Sequence, residues 1–599
     1  MIFTLKSLIS CLLAIAVTMV VPARASQKDK EADQQKELEK KTLALLNDVA
    51  AGAWSLKLPE NRLFIMSNAA DLLWSVDEKR ARTLYWDALN AMNLIAGPVR
   101  ATGQKLSPEE RAKLAQTYLS AFELRQKLLR RIAKRDAQLA LDMLRASKPV
   151  PPRHLMPNFT FPDDVQLEQG IAAELAARDP AQALQIARQS LAKGLTLEVL
   201  TLLQRLNDVD SEKGSQFAAE IITKLRTGNL ANDFHGAIVA VQLLYSNRKL
   251  DPIQPARLGS ASGVKALSLD EEQKRSLVEL LTDVALSATV APHVLWQVSH
   301  VMAEIEQFFP ERSEAVAGKL SAFKRAMHET DRDQETVNLL ISGGTVEDLV
   351  RTAGGAAGGG ADSATRISLY QQAAIMAVAQ GKTDWFREAI NKQEMSSDLR
   401  AQIIDSLDYQ EIGTLTMRKQ VDELQKLLPK IRRKDERARA MAELALMLHE
   451  KGEKEDASTI LDEAATLTKS DLTDEKQTNA LLTLLCAYAV VDPPKAFALA
   501  ERTVDRANRQ ISLLLLLDKV VKSGAVKKNE LLLEQPQLMP IEFLVFKYGK
   551  GVAALARADF NRTKALAERF DRNELRLMAQ LLVLKGLLEP QTPAFAEAL

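Results

Sequence analysis

Residues 132–140 read Ile132-Ala133-Lys134-Arg135-Asp136-Ala137-Gln138-Leu139-Ala140, and the reading of this stretch decides the fold. An apolar helix ends on basic residues, an acidic residue follows at once, and a small residue stands four positions later. Asp is a preferred helix N-cap because its carboxylate accepts a hydrogen bond from the free N–H groups of the first turn. It also sits at the positive end of the helix dipole. A small residue one turn further on lets the preceding helix approach closely. The stretch predicts a tight helix–turn–helix hairpin.

The same junction recurs as Asp77 with Ala81, Asp179 with Ala183, Asp210 with Gly214, Glu453 with Ala457, Asp492 with Ala496, and Asp559 with Thr563. Leu175-Ala176-Ala177-Arg178 and Leu555-Ala556-Arg557-Ala558 repeat the lead-in. Pro180 and Pro493 follow their Asp directly, at the first helical position, where a missing N–H costs nothing. Asp136 to Asp179 spans 43 residues, Asp179 to Asp210 spans 31, and Glu453 to Asp492 spans 39. The longer separations, 59 from Asp77 to Asp136 and 67 from Asp492 to Asp559, are those of doubled or expanded units. Two-helix units at intervals of ~30–45 residues belong to the solenoid class. Helical periodicity dominates elsewhere, and alternating β-branched runs are nearly absent. The expected fold is all-α: a right-handed α-solenoid of degenerate helix–turn–helix repeats in two helical blocks.

One unit carries a more specific likeness. Leu444, Ala445, Leu448, Gly452, Ala457, Leu461 and Ala464 fall where the 34-residue tetratricopeptide (TPR) motif places its core and small positions. Residues 441–464 therefore resemble that superfamily, with Met441 in place of the early tryptophan and Lys469 in place of the closing proline. The resemblance covers this unit well and the acidic junctions in part. It implies a TPR-like architecture and a protein- or peptide-binding mode, and it names no partner.

Breaks in the pattern outline the blocks. Residues 148–163 hold Pro149, Pro151, Pro152, Pro157 and Pro162 and are expected to form an extended connector. Residues 246–268, with Pro252, Pro255, Gly259 and Gly263, read as a surface loop. Residues 343–362 are Gly-rich, with a short helix expected around Glu347–Arg351, and are the expected linker between an N-terminal block, 26–342, and a TPR-like C-terminal block, 363–599. Residues 27–41 are dense in charge and are expected to be an exposed helix or a mobile leader.

Residues 1–25 form an export signal by pattern. Lys6 precedes an apolar run from Leu8 to Val21, followed by Pro22 and the small-x-small site Ala23-Arg24-Ala25. The run is shorter than the ~20 residues a membrane-spanning helix needs. Cleavage after Ala25 and a periplasmic or extracellular location follow as expectations, with no membrane insertion of the mature chain. Leu8-Ile9-Ser10-Cys11 has the outline of a lipobox, but the apolar run continues past Cys11, so lipidation is set aside. Cleavage leaves a single thiol, Cys486, in an apolar helix, where it is expected to be buried and inert.

Charge narrows the function classes. The chain has 79 Lys and Arg against 78 Asp and Glu in 599 residues, without the basic field of a nucleic-acid binder. The best basic stripe, Lys430, Arg432, Arg433 and Lys434, runs into Asp435 and Glu436 and reads as a helix face of mixed charge. Gly381-Lys382-Thr383 ends like a phosphate-binding loop, but Met376 stands where the motif needs glycine. It reads as an inter-helix turn with Thr383 or Asp384 capping the next helix. Gly259-Ser260-Ala261-Ser262-Gly263 has Ala261 where a nucleophile elbow needs its serine. Of the six histidines (154, 235, 293, 300, 328 and 449), none forms a zincin pattern, and His293 and His300 are two turns apart, ~10 Å, too far to share one zinc alone.

Carboxylate pairs such as Asp163-Asp164 and Glu271-Glu272 are those of any charged helical surface, and glycoside hydrolysis needs two that converge across a cleft. The five tryptophans, at 54, 74, 86, 296 and 385, are expected in core packing, with Trp74 and Trp86 locking the Asp77 hairpin. No catalytic, metal-binding or cofactor-binding residues are assigned. The expected function is an exported scaffold that holds a protein or peptide partner on the concave solenoid face. The alternative is an α/α-toroid carbohydrate-active enzyme or glycan-binding protein whose site is assembled from distant helices.

Overall fold

The computed structural model describes residues 33, 35–95, 107–147, 164–245, 267, 269–287, 290–328, 345–355, 363–468, 475–521, 526–533 and 541–589. The export signal, the connector 148–163 and nearly all of the loop 246–268, including Gly259–Gly263, lie outside them. Among the described residues the chain is an all-α stack of helices packed in series, the helical-repeat architecture of a solenoid. Its only strands there are the two-residue pair Val526–Lys527 and Glu530–Leu531, joined antiparallel.

The acidic junctions form as their chemistry dictates. The carboxylates of Asp77, Asp136, Asp179, Asp210, Asp492 and Asp559 each accept the backbone N–H three residues on, at 2.9–3.3 Å. Each Asp also donates its own N–H to the carbonyl four residues back, closing the preceding helix. Ala81, Ala140, Ala183, Ala457 and Ala496 are fully buried, as close helix approach requires. At Gly214 the approach is closest: a Cβ there would sit 2.8 Å from Cα of Asn207 in the preceding helix.

Glu453 departs from this pattern. It makes no side-chain cap, because Gly452 before it is in the left-handed region at φ 92°. The turn is closed through the backbone instead, from Glu453 N–H to the Leu448 carbonyl at 3.0 Å and Gly452 N–H to the His449 carbonyl at 3.0 Å. Two further junctions share this bond pattern. Gly381 (φ 69°) precedes Lys382, which bonds to Ala377, and Lys419 (φ 53°) precedes Gln420, which bonds to Leu415. These are Schellman-type helix endings. Accordingly neither Thr383 nor Asp384 caps the helix Thr383–Lys392: Thr383 bonds to Glu411, and Asp384 pairs with Lys430.

Contacts divide the chain into two compact units that do not follow the expected block boundary. One unit combines the described residues up to Leu84 with those from Met441 on; the other holds those from Tyr85 to Ala440. The described part of the Gly-rich stretch, 345–355, lies inside the second unit. The helix Val346–Gly355 within it buries Val346, Leu349, Val350 and Ala353 in one core cluster with Leu369, Tyr370, Phe386, Ile390 and Leu407. This is the short helix expected around Glu347–Arg351.

In the second unit, side chains tie successive hairpins. Arg178 donates to the carbonyls of Ala133 (2.9 Å) and Arg135 (3.0 Å), linking one acidic junction to the previous one. Arg205 reaches the Ala173 carbonyl and Glu174, and Lys224 the Ala192 carbonyl. These bonds satisfy carbonyls near helix C-termini and complement the helix dipoles.

The first unit is closed by contacts between the two ends of the described chain. Leu58 stands at the N-cap of the helix Pro59–Leu73 and has no capping side chain of its own. The buried carboxylate of Glu530, 472 positions away, accepts the N–H groups of Lys57 (2.6 Å) and Leu58 (3.0 Å). Asn61, fully buried, donates to Glu530 and to the Leu531 carbonyl and accepts from Leu533 N–H. Buried Glu574 accepts from Leu531 N–H and from Arg572. Residues 35–52 form the helix before this clasp, exposed over most of 35–41 and burying Leu45, Leu46 and Val49. Cys486 is buried, packed against Gly551 in the same unit.

Candidate interaction groove

Two helices of the second unit, Val346–Gly355 and Thr383–Lys392, flank a groove of about 550 Å³. Glu347, Val350, Arg351 and Gly354 line it from one side, and Trp385, Ala389, Lys392 and Gln393 from the other. Each set follows the spacing of a single helix face, so each helix turns one stripe to the core and the adjacent stripe to the groove. Phe386 and Ile390 are fully buried, while Trp385, one residue earlier and ~100° round the helix, is 39% exposed.

The groove walls are held from beneath. Arg387 pairs with Asp408 (2.6 Å) and Glu411 (2.7 Å), and Glu411 also accepts from Thr383 (2.9 Å). Asp408 is 1% exposed and so carries its carboxylate into the interior. Burial pushes its carboxyl above the usual carboxylate range, against the pull of Arg387. A reciprocal cap between Thr345 and Asp348 starts the opposite wall.

Every charge at the rim has a partner. Lys382 pairs with Glu347 across the groove at 2.8 Å and holds that carboxyl below its ordinary range. Arg351 pairs with Asp348, and Lys392 with Glu388. The side chains of Trp385 and Gln393 make no hydrogen bond among the described residues, and Gln393 lies over Gly354.

The tryptophans correct the expectation of core packing: none of the five is buried. Trp54 is 54% and Trp86 36% exposed, while Trp74 and Trp296 are half-buried. The helix Glu78–Ile95 buries Ala81, Leu84, Tyr85, Ala88 and Met92, a face offset from Trp86. Trp74 lies under the Arg82 guanidinium at 5.0 Å. Helical periodicity places these residues in helices, but a large ring on the edge of an apolar stripe can point either way.

The other residues weighed for chemistry do not converge. Lys382 of the Gly381-Lys382-Thr383 turn is held by Glu347. Asp164 pairs with the buried Arg125 (2.9 Å), and Glu271 with Lys274 (2.7 Å). Lys430 and Arg433 lie at and after a short 3₁₀ turn rather than on one helix face, and both are engaged by carboxylates. His300 bonds to the Trp296 carbonyl at 2.9 Å. Among the described residues no group of three His, Cys, Asp or Glu side chains is placed to hold a metal ion, and no helix is long and apolar enough to cross a membrane.

No family model matches the chain, and no curated protein matches it. Among the solved structures that match is one described as a circular tandem repeat protein with novel repeat topology and enhanced subunit contact surfaces. It is 14% identical, the match covers 92% of this chain and all of that one, and the TM-score is 0.14. A superposition that poor carries no argument about this chain.

Proposed function

We propose that this protein is an exported, non-catalytic interaction scaffold that holds a protein or peptide partner in the cell envelope. The observation that carries the reading is the Trp385 groove: an apolar-lined depression on a helical-repeat framework, with an exposed indole at its wall. Exposed tryptophan is costly to leave in water and is enriched where partners bind. The export half rests on the N-terminal signal pattern and on the single thiol left after cleavage at Ala25. We further assign residues 363–467 as TPR-like. The 34-residue recurrence of Ala374, Asp408 and Ala442 and the shared turn pattern at Gly381, Lys419 and Gly452 support that assignment.

The test is threefold. N-terminal sequencing of protein recovered from its host should begin at Ser26. A photo-crosslinking residue at position 389 should give a discrete protein adduct in the native envelope, absent when the same residue is placed at exposed Arg432. The mature chain should leave peptidoglycan and oligosaccharides unprocessed; turnover of either would overturn the reading in favour of the α/α-toroid alternative.

A further inference from the structure

We propose that the helix Pro493–Val521 docks the protein on an anionic membrane surface through an outward stripe of arginine and leucine. The proposal goes beyond the scaffold reading and does not use the Trp385 groove.

The helix has two unlike sides. Ala496, Phe497, Ala500 and Thr503 are buried, and Ile511 and Leu515 continue the same side half-buried. At ~100° per residue, Arg502, Arg509, Leu513 and Leu516 fall within about 60° of one another on the opposite side. All four are exposed, Leu513 to 61% and Leu516 to 58%. Apolar residues scattered singly on a surface need no explanation. Here two leucines one turn apart extend a line of arginines, on the outer side of a helix whose inner side is already packed.

Charge says what the stripe fits. Residues 502–528 hold seven Lys and Arg against two acids, Asp505 and Asp518, a net of +5 where the whole chain carries +1. One of the seven, Lys527, pairs with Glu60 at 3.3 Å. The acids that border the stripe are neutralised from a neighbouring segment. Arg569 holds both oxygens of Asp505 at 2.7 Å, and Arg562 holds Glu501 at 2.8 Å. Arg502 donates to the Ala498 carbonyl of its own helix at 3.1 Å, and neither it nor Arg509 sits in an ion pair among the described residues. The stripe is therefore cationic at one end and apolar at the other.

An anionic bilayer satisfies both ends at once. Guanidinium groups meet the headgroups, and leucines beside them enter the boundary of the acyl chains. A nucleic acid offers phosphate to the arginines and leaves the two leucines in water. The helix lies on the membrane, since it is not apolar enough to cross one.

The experiment is co-sedimentation of the full mature chain with phosphatidylglycerol vesicles and, in parallel, with phosphatidylcholine vesicles. We expect binding to the anionic vesicles alone, lost at ~1 M salt, where the screening length falls to ~3 Å. One Lys or Arg near such a surface is worth roughly fivefold in affinity, so Arg502→Gln/Arg509→Gln should bind more than about tenfold more weakly. Leu513→Ser/Leu516→Ser should also lose about tenfold or more, because its apolar contact is gone. Leu94→Ser, at a leucine 65% exposed elsewhere, should bind like the wild type. The arginine variant serves if the leucine variant does not fold. No binding at millimolar lipid, equal binding to both vesicles, or full binding by either double variant overturns the proposal. A dimer in solution that Leu513→Ser/Leu516→Ser takes apart also overturns it, and makes the stripe a contact between copies. Tighter, leucine-dependent binding to polyglutamate overturns it in favour of an acidic protein partner. None of these outcomes bears on the adduct at position 389 or on glycan turnover, so this proposal and the scaffold reading fail separately.

Discussion

Within the second unit, residues 107–227 and 363–430 solve one problem in two ways. At the junctions compared, both reverse the chain between packed helices within three residues or fewer. In the first region the turn is made by a side chain: Asp136, Asp179 and Asp210 cap the next helix, and no described residue there has positive φ. At two junctions of the second the turn is made by the backbone: Gly381 and Lys419 take the left-handed conformation, and the helix after each starts without a side-chain cap. The difference teaches where each junction keeps its specification. An Asp cap depends on residue identity and is visible in any sequence. A left-handed turn depends on a dihedral angle and is visible only where glycine holds it.

Substitutions can break this contrast, beginning with the close approach at an acidic junction. Gly214→Val places its Cβ 2.8 Å from the Asn207 backbone, which cannot move aside cheaply. Overpacking of this kind costs about 2–3 kcal/mol, read as a lowered midpoint in urea denaturation. Next comes the backbone class. Gly452→Ala forces an L-residue to φ 92° with no steric obstacle nearby, so conformation alone supplies a loss of about 1–2 kcal/mol. A variant as stable as wild type would show that the turn relaxes to another conformation.

The acidic caps rank third. Asp136→Ala and Asp179→Ala should each lose about 1 kcal/mol, the usual worth of an N-cap. Glu453→Ala should fall within the ~0.5 kcal/mol scatter of surface substitutions, because its carboxylate caps nothing. Equal losses at Asp136 and Glu453, measured by the same denaturation, would merge the two classes.

The limits of sequence reading follow the same line. Six of the seven acidic junctions were legible because cap chemistry is local: donor and acceptor lie three residues apart. Glu453 imitates the spacing, and only the φ of Gly452 reveals that a different turn operates. The Lys419 turn carries neither acid nor glycine and gave no signal. The clasp of Glu530 on Lys57 and Leu58 joins groups 472 or more positions apart, and nothing near Glu530 marks it as a cap. Hence the two-part composition of the first unit was not legible. The groove was half legible: Trp385 was visible as a helical aromatic, but its facing depends on Phe386 winning the core position beside it. Asp408 reads as surface by type, and only Arg387 from another helix makes its burial tolerable.

Lys419 gives the smallest and most discriminating test. Its φ of 53° places an L-residue in a region that costs roughly 1–2 kcal/mol. Lys419→Gly removes that cost but gives the unfolded chain more freedom, a penalty of about 0.5–1 kcal/mol. The net expectation is a gain of roughly 0.5 kcal/mol, with Lys419→Asn between the two, since Asn visits this region more readily than Lys. The opposite change at the equivalent turn, Gly381→Ala, should lose stability, so the pair of variants moves in opposite directions if backbone conformation governs both. A loss at both sites would mean that the exposed lysine contributes more through its side chain than its backbone costs. The second region would then hold its turns by side-chain identity after all, as the first region does.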